Sequence, residues 1–166
     1  MLQIEPLVMI TILVPWIGAL VVWLIGNRHE KIQHITAVIF SVIAAISSVA
    51  MLWAYKSGTI LSFEMGSSFG NFSFVTDGLG LFLAIVATVI GALAVIFSVD
   101  YMHGDSQLGR YYSFVLFFIG AMAGLVLTSN LLLMFIFWEI TALCSYVLIS
   151  FYNDDPKAVA GGMKAL

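Results

Sequence analysis

Residues 131–152 read LLLMFIFWEITALCSYVLISFY, with Glu139 as the only charged side chain and neither glycine nor proline to interrupt them. A helix rises about 1.5 Å per residue and needs about 20 apolar residues to cross hydrocarbon, where every backbone polar group must be satisfied internally. The stretch meets that condition and predicts a membrane-spanning helix over Leu131–Tyr152. Just before it stand Thr128, Ser129 and Asn130, a polar turn too short for anything but an antiparallel return. The preceding apolar run, Tyr111–Thr128, is therefore predicted to form a helical hairpin with it.

Farther upstream, three more runs satisfy the same length criterion: Ile4–Gly26, His34–Tyr55 and Gly78–Val99. Of the 166 residues 62% are hydrophobic and only 9% charged, and mean hydropathy is +1.10. A chain this short has too much surface per unit volume to hide such an apolar excess in water. The expected fold is all-α and integral to a membrane, with five transmembrane helices plus the start of a sixth. Four regions follow: residues 1–56 with two helices, 57–76 as an outer loop or hairpin, 77–152 with helices three to five, and 153–166 as a cytoplasmic loop leading into helix six. The first run has no basic residue ahead of it and exceeds a signal-peptide core in length, so a retained span is expected.

Between Lys56 and Thr76, Ile60, Leu61, Phe63, Met65, Phe69, Phe72 and Phe74 are interspersed with small or polar residues around Gly66, Ser67, Ser68 and Gly70. That pattern fits a short β-hairpin between helices two and three, or an irregular loop carrying aromatic interface anchors. Arg28, Lys31, Arg110, Lys157 and Lys164 fall on one side of the predicted spans and Lys56 on the other. Basic residues in short loops favour the cytoplasm, which places the N-terminus outside and the tail after Tyr152 inside.

The net charge of -3 arises from scattered groups, without the basic patch that nucleic acid requires. Cys144, the sole cysteine, has no CxxC or Cys/His partner spacing for zinc, an iron-sulfur cluster or covalent haem. No cofactor or metal is expected, and any redox chemistry belongs to another chain.

Glu139 is the candidate functional residue. An acid at mid-helix depth costs about 2.5–3.5 kcal/mol on the lenient insertion scale, so such groups commonly face protein or water and mark an ion path. The alternative is a structural carboxyl bonded to a neighbouring helix. Helical spacing puts Phe135, Ile136, Ala142 and Leu143 on its face, none of them polar. No Lys or Arg falls inside the predicted spans, so a cationic mate is expected on another subunit or beyond Leu166. Gly120 and Gly124 form a small-residue stripe suited to close helix approach, and Gly78, Gly80 and Gly91 read the same way. Cys144 and Ser145 read as packing residues. Asp77 reads as a helix N-cap, and Asp100, Asp105, Asp154, Asp155 and His103 as solvated or capping groups. His29, His34 and His103 map to the cytoplasmic side without metal-ligand spacing, and a proton relay is the lesser reading of them.

The string from Asn130 to Tyr152 followed by DDPKAVAGGMKAL resembles the antiporter-like membrane subunits of respiratory complex I, of related membrane-bound hydrogenase-type complexes and of Mrp-type sodium/proton antiporters. FSFVTDGLGLFLAIVATVIGALAVIFSVDYM, from Phe72 to Met102, is similar to the segment opening the largest of the complex I antiporter-like subunits, and Arg110 with Tyr111 matches its basic-aromatic pair. The resemblance covers residues 60–166, while the first two helices match in hydropathy. It implies an ion-translocating module of inverted five-helix repeats in which Glu139 stands where a mid-membrane Glu pairs with a Lys two helices later. The sequence stops at Leu166, before the family's lysines, and Lys164 sits at a helix end. The implied function is translocation of protons, or of protons against sodium, within a complex I-like or Mrp-like assembly in an energy-transducing membrane, with other membrane subunits and the bilayer as partners. The alternative is a non-transporting structural subunit that docks neighbouring modules.

Overall fold

The structure, a computed structural model, describes residues 4–26, 29–55, 59–63, 72–105 and 107–165. Among the described residues five helices are long and apolar enough to cross a bilayer: Ile4–Ile25 (α1), Glu30–Ala54 (α2), Gly78–Tyr101 (α3), Leu108–Leu127 (α4) and Leu131–Ile149 (α5). A shorter helix, Pro156–Ala165 (α6), follows. The chain is an all-α integral membrane protein, as its apolar runs require.

Three boundaries move for a physical reason. Hydropathy places the start of the second span at His34, but the backbone ladder begins earlier, with Ile32 and Gln33 donating to the His29 carbonyl at 3.1 Å each. Helical hydrogen bonding does not require apolar side chains where the helix leaves hydrocarbon. Lys31 and Arg110 accordingly lie in the first turns of α2 and α4, not between spans. At the far end α5 stops at Ile149 instead of Tyr152, because the chain turns at Ser150 and buries Phe151 against Tyr111. Pro156 then opens α6, where its missing N–H costs nothing.

The helices are sorted as lipid demands. On α2, Ala37, Ser41, Ala44, Ser47 and Ser48 point inward, whereas Ile32, Ile35, Ile39, Ile43 and Ile46 point outward. Large apolar side chains gain nothing by leaving lipid for protein, so contacts between helices go to small residues and hydroxyls. Thr11 of α1 meets Ser47 at 2.8 Å, and Ser48 meets Thr88 of α3 at 2.7 Å. The Trp16 indole N–H donates to the Phe117 carbonyl at 3.1 Å and the Ser113 hydroxyl to the Ala19 carbonyl at 3.0 Å, joining α1 to α4. Helix α4 thus becomes the hub, packed against α1, α2, α3 and α5.

Residues 59–63 (β1) and 72–76 (β2) form an antiparallel pair with Thr59 opposite Thr76 and Phe63 opposite Phe72. Of the two sequence expectations for this region the hairpin is observed, although Met65, Gly66, Ser67, Ser68, Phe69 and Gly70 lie outside the described residues. The second strand docks on the α4–α5 turn: Ser129 N–H donates to the Ser73 carbonyl at 3.0 Å, and the two serine hydroxyls meet at 2.6 Å. Asp77 caps α3 by accepting from Gly80 N–H at 2.7 Å, as expected.

Candidate functional site

Helix α5 is positioned from its N-terminus. The Asn130 side chain accepts from the N–H groups of Leu132 at 2.8 Å and Leu133 at 3.1 Å, satisfying two of the donors that a helix start leaves free. Leu133, Phe137 and Cys144 form the face buried against the bundle. The Phe137 ring enters the space over Gly124, where a Cβ would collide with it, and lies 5.8 Å from the Trp16 ring of α1. Gly120 likewise lets α1 approach: a Cβ there would stand 2.5 Å from the Trp16 ring and 2.7 Å from the Ile12 carbonyl. Both expected small-residue contacts are therefore spent inside the chain. Cys144 is buried, consistent with packing.

Glu139 follows Phe137 by two positions, about 200° around a helix. With Phe137 turned inward, Glu139 projects from the exposed side of α5 beside Leu132, Phe135, Ile136 and Leu143. Among the described residues no hydrogen-bonding or ion-pairing partner reaches its carboxyl. Phe135, Ile136 and Leu143 do share its face, as the helical spacing required. The five helices do not bury Glu139 among themselves. Lys157 and Lys164 of α6 are exposed.

A second polar constellation, missed in the sequence, occupies the other end of the bundle. His34 is buried and bridges α2 to α4, its Nδ1 lying 2.6 Å from the Tyr112 hydroxyl and its Nε2 3.4 Å from Glu30 Oε1. Glu30 Oε1 also accepts from Gly104 N–H at 2.8 Å and stands 3.9 Å from His103 Nδ1. Nearby, Asp105 accepts from the Tyr152 hydroxyl at 3.3 Å; desolvation, and then this carboxylate, raise the tyrosine's affinity for its proton. Arg110 reaches Gln107 at 3.0 Å and lies over the Phe151 ring. Hydropathy had set His34 at the cytoplasmic boundary of a span. The available signal was its place on the stripe of Ala37, Ser41, Ala44 and Ser48, at helical spacing.

Comparison with known proteins bears on both ends of the chain. Residues 63–112 match the family described as NADH-ubiquinone oxidoreductase (complex I), chain 5 N-terminus, and residues 128–166, which include Glu139, match the family described as NADH:quinone oxidoreductase/Mrp antiporter, TM. Together the two matches take in more than half of the sequence. The chain belongs to the antiporter-like membrane subunit family. Among relatives, the Na(+)/H(+) antiporter subunit A1 of Staphylococcus aureus is 32% identical over 162 residues, covering 95% of this chain and 20% of the relative. The same-named protein of Staphylococcus haemolyticus is 32% identical over 161 residues, again covering 95% and 20%. These matches extend through α1 and α2, so the kinship of the first two helices goes beyond hydropathy.

Among solved structures, an Mrp complex from Dietzia sp. DQ12-45-1b superposes with a TM-score of 0.79 at 23% identity, over 95% of this chain and 17% of that one. An archaeal membrane-bound sulfane sulfur reductase complex gives 0.82 at 18% identity, over 95% and 33%. Both show the antiporter-like fold of these five helices. The chain spans about a fifth of the length of the curated relatives it matches.

Proposed function

We propose that this antiporter-like chain contributes to ion translocation, of protons or of protons in exchange for sodium, within a multisubunit membrane assembly, and that Glu139 carries the charge. One observation supports the reading above others: a single carboxyl in mid-helix, on an apolar face of α5 that the other described residues leave uncovered. Left in lipid, an acid at that depth would cost about 2.5–3.5 kcal/mol. Covering protein that supplies a cation and a hydrated route removes the penalty and also gives the group a function.

The chemistry follows from the two charge states of a carboxyl. In a dry setting without a cation the neutral acid is favoured, and an approaching ammonium or guanidinium favours the carboxylate. Moving a cation toward and away from Glu139 would thus release and reload a proton. The family relatives are named as sodium/proton antiporter subunits, and on this reading the covering protein is another membrane segment of the assembly. The end carrying Lys31, Arg110 and Lys157 would face the cytoplasm. Arg28 and Lys56, which enter the same charge count, lie outside the described residues.

The test is Glu139→Gln in the assembled complex, reconstituted in vesicles with an imposed ion gradient. Ion exchange is expected to be abolished or sharply reduced while subunit assembly is unchanged. Undiminished exchange would overturn the proposal and favour a structural, docking subunit.

A further inference from the structure

Among the described residues, the His34 constellation is the buried cluster of titratable side chains for which the Glu139 proposal has no use. It sits where α2 leaves the membrane, between a carboxylate open to the surface and a tyrosine sealed in the core: the Glu30 side chain is 34% exposed and that of His34 8%, while Tyr112 is fully buried. An ionised carboxylate only accepts, so the His34 Nε2 facing Glu30 must bear a hydrogen. In the neutral ring Nδ1 is then an acceptor, and the Tyr112 hydroxyl donates to it across 2.6 Å.

Adding one proton alters that pattern. With both ring nitrogens protonated, Nδ1 becomes a donor, the tyrosine oxygen must accept, and its own hydrogen has to turn elsewhere. Among the described residues the Tyr112 hydroxyl has no second hydrogen-bond partner. Gain of charge beside Glu30 is therefore coupled to reversal of the bond that ties α2 to α4.

We propose that His34 is a proton-binding site, loaded from the aqueous surface past Glu30, whose occupancy reverses the His34–Tyr112 hydrogen bond. Its ligand is a proton, bound at the imidazole Nδ1 that otherwise accepts from Tyr112. The titratable groups around it are Glu30 on its own helix, Tyr112 with Tyr111 beside it on α4, and His103 in the α3–α4 turn. Asp100 and Tyr101 end α3 with exposed side chains, and α1 brings no titratable group to this end among its described residues. Because α4 is also the helix on which α5 rests, the site links surface pH to the hub of the bundle. The inference does not depend on Glu139 translocating ions.

The experiment uses the whole chain in lipid bilayers, labelled with nitrogen-15 histidine and carbon-13 tyrosine, with the exposed His29 and His103 replaced by Gln so that His34 is the only imidazole. Solid-state NMR is recorded from about pH 8 to 5, and Tyr112→Phe identifies the tyrosine signal. At high pH the ring should carry its hydrogen on Nε2. On acidification both nitrogens should become protonated, and the Tyr112 phenol carbon should shift over the same pH interval. A ring that stays singly protonated throughout, a neutral form with its hydrogen on Nδ1, or a Tyr112 signal indifferent to the imidazole would each overturn the proposal.

Discussion

Phe137 of α5 occupies the space that Gly124 of α4 leaves by having no side chain. That contact sets the rotation of α5 about its axis, and rotation decides what Glu139 faces. With the ring turned toward α4, the carboxyl two residues later projects from the uncovered side.

Filling that space should move α5. Gly124→Val puts methyl groups where the Phe137 ring lies, and overpacking of this kind costs about 1–3 kcal/mol. Unfolding in detergent or bicelles should report a loss of that size. Adding Phe137→Ala should recover part of it, whereas purely additive losses would mean that the two residues do not share the space.

Hydroxyl pairs hold α2 between its neighbours. A double-mutant cycle on Ser48→Ala and Thr88→Ala should yield a coupling of about 0.6 kcal/mol, the average for interhelical bonds in membranes. Zero coupling would mean that each hydroxyl gives its one hydrogen to a carbonyl of its own helix, Ser48 to Ala45 and Thr88 to Ala84, leaving none for the contact between them.

The α5 cap offers a local test. Asn130→Ala removes the acceptor shared by Leu132 and Leu133 and should cost about 1 kcal/mol. Hydrogen exchange should accelerate at those two amides first, with the helix beyond Phe137 unaffected. Uniform acceleration along α5 would instead indicate that the turn, and not the cap, had been lost.

Covering of the Glu139 face can be measured directly. A benzophenone amino acid placed at Leu143 should photo-cross-link to lipid in the isolated chain and to another subunit when the complex assembles. Cross-linking unchanged by assembly would place that face in lipid and count against a cationic partner there.

The sequence singled out Glu139 because depth in a membrane is a one-dimensional property: counting residues from each end of an apolar run is enough. It also signalled the Asp77 cap and the α4–α5 turn, since both depend on groups within three residues of one another. His34 was placed at the edge of a span, without a partner, for the same one-dimensional reason. Its partner Tyr112 is 78 positions away, and no local pattern announces a pair formed by two helices meeting. The function of Gly120 and Gly124 lay between these cases. Their spacing foretold close approach, but not that α1 would take one site and α5 the other.

What the sequence determined by itself is the solvent and the elements: an apolar excess that water cannot accommodate, five runs of spanning length, and one acid in the middle of the fifth. Tertiary structure alone decided azimuth, meaning which face of each helix meets protein and which is left open. Backbone hydrogen bonding makes a helix in hydrocarbon whatever its rotation, so the rotation is set only where side chains of different helices fit, as Phe137 fits over Gly124 and His34 meets Tyr112.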